Sequence, residues 1–233
     1  MPKTLGYLPW TFAFGLLFAG CGTGFLNPTV KEGVIEYALS FPDYDPGGIM
    51  AGMLPERTTL RFSRDQQSIE LSAGMGLFRT HMVSDNQARS LDYHMSLMGK
   101  RLVSHLKPRD LELFNELGRP TLIFTGDIDT IAGMPCRHVV AIFDRIEHPE
   151  VDIWYTDRIA MDNPNWFGPF ADVPGVLMRY EVLQYGMRMR LEAKSINEAE
   201  QDPGRFAPKA DHQSVTPEVL HFELGEVLGT FAQ

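Results

Sequence analysis

The chain is poor in cysteine: among its 233 residues only Cys21 and Cys136 carry a thiol. That count gives no disulfide framework, so stability has to come from packing. Basic residues are in the minority, with 21 Lys and Arg against 30 Asp and Glu and a net charge of −9. Such a surface repels phosphate backbones, which removes nucleic acid from the expected partners. Long apolar runs are missing too. The N-terminal stretch from Leu8 to Ala19 is interrupted by Pro9 and is too short to cross about 30 Å of hydrocarbon as a permanent helix. There is no G-x-S-x-G, P-loop or dinucleotide fingerprint, and the seven histidines never fall at His-x-x-x-His spacing. No catalytic residue, metal site or cofactor is therefore expected.

What is present begins at the N-terminus. Leu16-Leu17-Phe18-Ala19-Gly20-Cys21 resembles the lipobox of bacterial lipoproteins, in which a peptidase cuts before a cysteine whose thiol carries diacylglycerol. The expectation is a signal peptide over residues 1–20, a lipid anchor at Cys21 and a tether over 21–33. Two or more acyl chains attach a protein stably where one holds it only marginally. The membrane is then a partner through fatty chains, with no help from basic side chains. Cys136, left without a second thiol, reads as a small buried hydrophobe.

From residue 34 onward the dominant pattern has a period of two. Met187, Met189, Leu191 and Ala193 fall on one face of a strand, with Arg188, Arg190, Glu192 and Lys194 on the other; Ile35, Tyr37, Leu39 and Phe41 repeat the pattern. Further strands are expected around 57–63, 67–72, 77–83, 89–98, 100–106, 121–125, 138–144, 151–156 and 176–184. That makes about 11, with short links implying an antiparallel meander. Pro108 to Leu117 reads as a short amphipathic helix, and Thr216-Pro217 as the start of another. Asp157 to Gly175, carrying Trp166, Phe167 and Phe170, reads as a long aromatic loop tucked over an apolar surface. Residues 197–233 read as a polar linker followed by the second helix.

Several segments together resemble a family. They are Glu116-Leu-Gly-Arg-Pro, Phe124-Thr-Gly-Asp-Ile-Asp-Thr-Ile-Ala-Gly-Met-Pro-Cys136-Arg-His-Val-Val, Ile153-Trp-Tyr-Thr-Asp157 and Val173-Pro-Gly-Val-Leu-Met-Arg-Tyr-Glu181. In order and spacing they are similar to an uncharacterised family of bacterial envelope lipoproteins with a LolA-like domain, related to the GLPGLI group. The resemblance implies a mainly β domain over 34–196: one strongly curved antiparallel sheet, a half-barrel, with its concave apolar face covered by helices and loops. Relatives with that fold carry or sense acyl chains, and no catalytic residue comes with the resemblance.

A half-barrel lined by Leu, Met and Phe must be filled by its own side chains or by a ligand, because an empty dry cavity forfeits dispersion contacts. Twelve methionines fit either reading, as core fillers or as an adaptable binding wall. The candidate ligand-binding residues are Trp166, Phe167, Phe170, Met178, Tyr180, Met187, Met189, Leu191, Tyr37 and Met95. Asp127 with Asp129 reads as solvated residues at a strand end, and the groups Asp43, Asp45, Gly47 and Asp162, Asn163, Asn165 read as turns. Cys136 with His138 shows no partner carboxylate in the pattern. The sum is a lipid-anchored, non-enzymatic binder of acyl chains or lipid, expected in the outer membrane facing the periplasm. The alternative is a structural module that docks another envelope protein.

Overall fold

The structure, a computed structural model, describes residues 29–45, 51–115, 117–144 and 149–231. The leader and Cys21 lie outside these residues. Two meanders make up the sheet. The first comprises β1 (Gly33–Ser40), β2 (Arg57–Phe62), β3 (Gln66–Ala73), β4 (Phe78–Asp85), β5 (Ser90–Leu97) and β6 (Lys100–Leu106). The second comprises β7 (Thr121–Ile131), β8 (Met134–Ile142), β9 (Glu150–Thr156), β10 (Val176–Gln184) and β11 (Met187–Glu198). After them come β12 (Gln213–Ser214) and one α-helix, α1 (Pro217–Phe231).

All these strands form a single open, curled sheet in the order β12-β6-β5-β4-β3-β2-β1-β11-β10-β9-β8-β7. Every pairing is antiparallel except β12 with β6. Alternation explains the strands individually: in β1 the inward Ile35, Tyr37 and Leu39 are buried while Glu36 and Ser40 are not buried. Turn chemistry explains the hairpins. Met98-Gly99, Ala132-Gly133 and Tyr185-Gly186 each hold two consecutive positive φ angles, the requirement of a two-residue turn whose twist matches the flanking strands.

Two features differ from the sequence expectation. The sheet has 12 strands, because Gln213–Ser214 in the polar tail adds to β6. Nor is the order one meander: β1 pairs with β11, Tyr37 facing Ala193 and Leu39 facing Leu191. Local alternation carries no information about a pairing so distant in the chain. The link from β6 to β7 therefore runs from one edge of the sheet to the other. It carries a 3-10 helix, Pro108–Leu113, whose Asp110 carboxylate accepts the Lys107 N–H at 2.9 Å. This is shorter than the helix expected over 108–117. α1 begins where expected, with the Val219 N–H donating to Thr216 Oγ1 at 3.5 Å and Leu220 and Leu224 fully buried.

Thr80 and Met82 face the concave side, so His81 between them faces the convex side, where the tail crosses. There His81 is directly opposite His94, and the ring of His212 from the tail stands edge-on to His94 at 4.9 Å. His94 is 1% exposed, and neither of its ring nitrogens has a hydrogen-bond partner among the described residues. Burial first, then His212, His81, Lys209 and His105, push its imidazole down to about 3. Burial and Lys209 push His81 down to about 4, against the opposing pull of Glu70.

Both folded values lie below the ordinary 6.5, so the neutral rings contribute stability that is complete above about pH 6.5 and is lost as pH falls toward 4 and below. The thermal midpoint is expected to drop between pH 6.5 and 4. His94→Leu, which leaves no orphaned nitrogen, should hold the pH 7 midpoint and flatten that drop; an unchanged acid slope would remove His94 from the explanation.

Candidate ligand-binding trough

Concave-facing positions of neighbouring strands fall into line across the sheet. Tyr37 and Leu39 of β1, Leu60 of β2, Ile69 and Leu71 of β3, Met82 of β4 and Tyr93 of β5 continue the face set by Tyr180, Val182, Met187, Met189 and Leu191 of β10 and β11. Over this face lie Leu111, Phe114 and Leu117 from the crossing link, Pro164, Asn165 and Phe167 to Phe170 from the aromatic loop, and Leu228 of α1. Curvature keeps the two walls apart and leaves a cavity of about 370 Å³.

The polar groups in the walls are mostly spoken for. The Tyr37 hydroxyl donates to the Leu177 carbonyl at 2.8 Å, Thr58 to the Glu70 carbonyl at 2.8 Å and Asn115 to the Phe167 carbonyl at 3.2 Å. Burial raises the Tyr37, Tyr93 and Tyr180 phenols, so all three stay neutral. Charge is confined to one rim. There the Glu181 carboxylate accepts from Arg188 Nε at 2.6 Å and Arg190 Nε at 2.7 Å, and Arg188 lies 3.8 Å from Asp43. The cavity is thus an apolar channel with a fixed ionic cluster at its lip, an arrangement that can hold a greasy chain.

Of the residues singled out in the sequence, Tyr37, Tyr180, Phe167, Phe170, Met187, Met189 and Leu191 stand on the cavity wall. Trp166, Met178 and Met95 do not. The Trp166 indole N–H donates to Ser84 Oγ at 2.8 Å, in a buried network where Gln67 Nε2 donates to Asn86 Oδ1 at 2.9 Å and to the Pro164 carbonyl at 2.7 Å. Asn165 ties the same loop to the Val173 and Gly175 carbonyls at 2.9 and 2.8 Å. The aromatic loop is therefore pinned over the trough by its own hydrogen bonds. Met178 is fully buried in a cluster with Ile35, Ile131 and Cys136, beside a register shift between Leu177 and Arg179 that breaks the alternation. Met95 is fully buried with Leu220 and Leu224 of α1.

The wall residues missed in the sequence, such as Leu60, Ile69 and Leu71, carry the same alternation signal as Tyr37 and were open to the same reading. Leu111 and Phe114 were not, since nothing local says that their link crosses the concave face. Cys136 is buried, and burial pushes its thiol up to about 11, so it is protonated. His138 instead bonds Asp152 at 3.0 Å and Thr125 at 3.1 Å. Among the described residues no group of three or more His, Cys, Asp and Glu is placed to hold a metal ion.

No protein-family model matches the chain, and no curated protein matches it. Among solved structures it is similar to PNGF-II in two crystal forms, with TM-scores of 0.52 and 0.51 and identities of 12% and 13%. These alignments cover 83% of this chain but 33% and 32% of PNGF-II, so the chain spans about a third of that protein's length. A crystal structure of MucB aligns over 80% of this chain and 60% of its own at 12% identity, with a TM-score of 0.31, too low to bear on the architecture. The PNGF-II likeness concerns the fold alone.

Because Trp166 is wedged and hydrogen-bonded, Trp166→Ala is expected to cost about 3–5 kcal/mol in chemical denaturation. Trp166→Phe, which keeps an aromatic ring in most of the space and loses the donor to Ser84, should cost less, about 1–3 kcal/mol. Equal losses for the two variants would mean that the hydrogen bond, and not the packing, carries the effect.

Proposed function

We propose that this protein holds an apolar or amphipathic ligand, most simply an acyl chain or lipid, in the concave trough, and that it performs no covalent chemistry. The observation that carries this reading is the cavity of about 370 Å³ between walls of Leu, Met, Phe and Tyr. Removing apolar surface from water supplies the driving force, about 25 cal/mol per Å², and the methionines at 187 and 189 adapt to chains of different shape. The lipobox-like sequence ending at Cys21 supports an acyl anchor and a place in the bacterial envelope, at the outer membrane facing the periplasm. The resemblance of the 116–181 segments to LolA-like envelope lipoproteins points the same way.

A second reading, a module that docks another envelope protein, draws on β7. This edge strand exposes Ile123, Phe124 and Ile128, and on its outer side it has no partner strand among the described residues. Backbone pairing along such an edge is a common mode of recognition.

A dansyl-labelled undecanoic acid is expected to bind the full chain saturably with a blue-shifted emission. Leu39→Trp and Ile69→Trp, each adding bulk to the wall, should weaken it at least about tenfold, or roughly 1.4 kcal/mol. Undiminished binding in both variants, with the β spectrum retained, sinks the trough reading. Separately, cells fed radiolabelled palmitate should mark the wild-type chain and leave Cys21→Ser unmarked; equal labelling of the two would dismiss Cys21 as the anchor.

A further inference from the structure

The two ends of the sheet differ in chemistry. At one end the turns are polar: Arg64-Asp65 joins β2 to β3, and Asn86-Gln87-Ala88-Arg89 joins β4 to β5. At the other end the β3–β4 turn carries Met75 and Leu77, 95% and 52% exposed, and the β5–β6 turn carries Met98, 80% exposed. The two apolar turns adjoin, with the Met98 N–H donating to the Leu77 carbonyl at 3.3 Å. They also continue the trough, because Ala73 and Phe78, which flank the first turn, belong to its wall.

The backbone makes these methionines conspicuous. Met75 has φ 53° and Met98 φ 46°, left-handed conformations that are least costly for Gly, Asn or Asp. A long apolar side chain that stands in water returns nothing to the fold at such a position. Both turns nevertheless hold one that the described residues leave exposed, which makes a surface outside the fold the partner to look for. The surrounding charge narrows what that is. Although the protein carries a net −9, the exposed charged residues behind the apolar turns are mostly basic, Arg57, Arg79, Lys100 and Arg101, with Glu56 beside Arg57. Lys100 and Arg101 are paired with Glu223 and Asp211, whereas Arg57 and Arg79 have no ion-pair partner among the described residues. Apolar side chains in front and guanidinium groups behind match the layering of a bilayer surface, acyl boundary first and phosphates above it.

We propose that this end of the half-barrel docks on a lipid bilayer, with Met75, Leu77 and Met98 entering the acyl boundary and Arg57 and Arg79 meeting the lipid phosphates. The mouth of the trough then faces the membrane. The docking goes beyond ligand binding and stands whether or not the trough is occupied.

The test uses the full chain carrying Cys21→Ser, so that no acyl anchor contributes, with an NBD fluorophore attached through Met98→Cys or, at the polar end, Arg64→Cys. Cys136, buried and protonated, does not compete for the label. On adding vesicles of phosphatidylcholine mixed with phosphatidylglycerol, the probe at 98 should shift to the blue and brighten while the probe at 64 stays aqueous. The leader alone can bring the chain to vesicles, but it does not place residue 98 in the acyl layer.

In unlabelled chains Met75→Asn with Met98→Asn, which suits both left-handed turns, should lower vesicle partitioning about tenfold. The same pair should leave the thermal midpoint level or higher and the dansyl-acid titration intact, which separates docking from the trough reading. Probes that both remain aqueous, or an Asn pair that partitions as well as the parent, overturn the proposal. A probe at 98 that responds to another envelope protein and not to vesicles also overturns it in favour of a protein partner.

Discussion

The antiparallel seam between β1 and β11 is the contact on which the rest of the molecule depends. It joins two meanders that are otherwise separate sheets, and it does so at the centre, with Tyr37 opposite Ala193 and Leu39 opposite Leu191. The approach is close: a side chain on Gly33 would place its Cβ 2.4 Å from the Asn197 carbonyl oxygen, so the first residue of the seam has to be glycine. A register shift between Glu36 and Tyr37 adds local twist, as such irregularities do. Without the seam there is no continuous concave face, and the cavity, the crossing link and the aromatic cover lose the surface they share.

Much of this was legible in the alternation of side chains. Met187 to Ala193, Tyr37 and Tyr180 could be assigned to one apolar face from the sequence because a strand points every second residue the same way. The reading failed where that rule stops holding. At Met178 a register shift moves the side chain into the core, and Trp166 satisfies its indole with Ser84, 82 residues away in the chain. The two-residue strand at Gln213–Ser214 is invisible for the same reason: its sequence is polar and short, and only proximity to β6 makes it a strand. Sequence patterns report how a segment meets the core, and they are silent about which distant segment it meets.

The trough is held open by polar chemistry more than by grease. Gln67, Asn86, Ser84 and Trp166 form a buried hydrogen-bonded network that fixes the aromatic loop, and directional bonds specify one geometry where an apolar contact would allow several; only Asn86 Nδ2 is left without a partner among the described residues. At the other end Glu181 is clamped by Arg188 and Arg190. Between these fixed points the walls are left to Leu, Met and Tyr, whose packing is adjustable. The molecule thereby combines a rigid frame with a compliant lining.

The two borders of the sheet are unequal. The β6 border is partly covered by the chain's own two-residue β12, while β7 forms the opposite border, kinked where Phe124 faces Val139 and Ile128 next faces Arg137. A sheet with two free borders can grow without limit, strand upon strand, toward fibres. With β6 partly covered from within, backbone addition is directed to β7, and two copies meeting there edge to edge use up the border that invites growth.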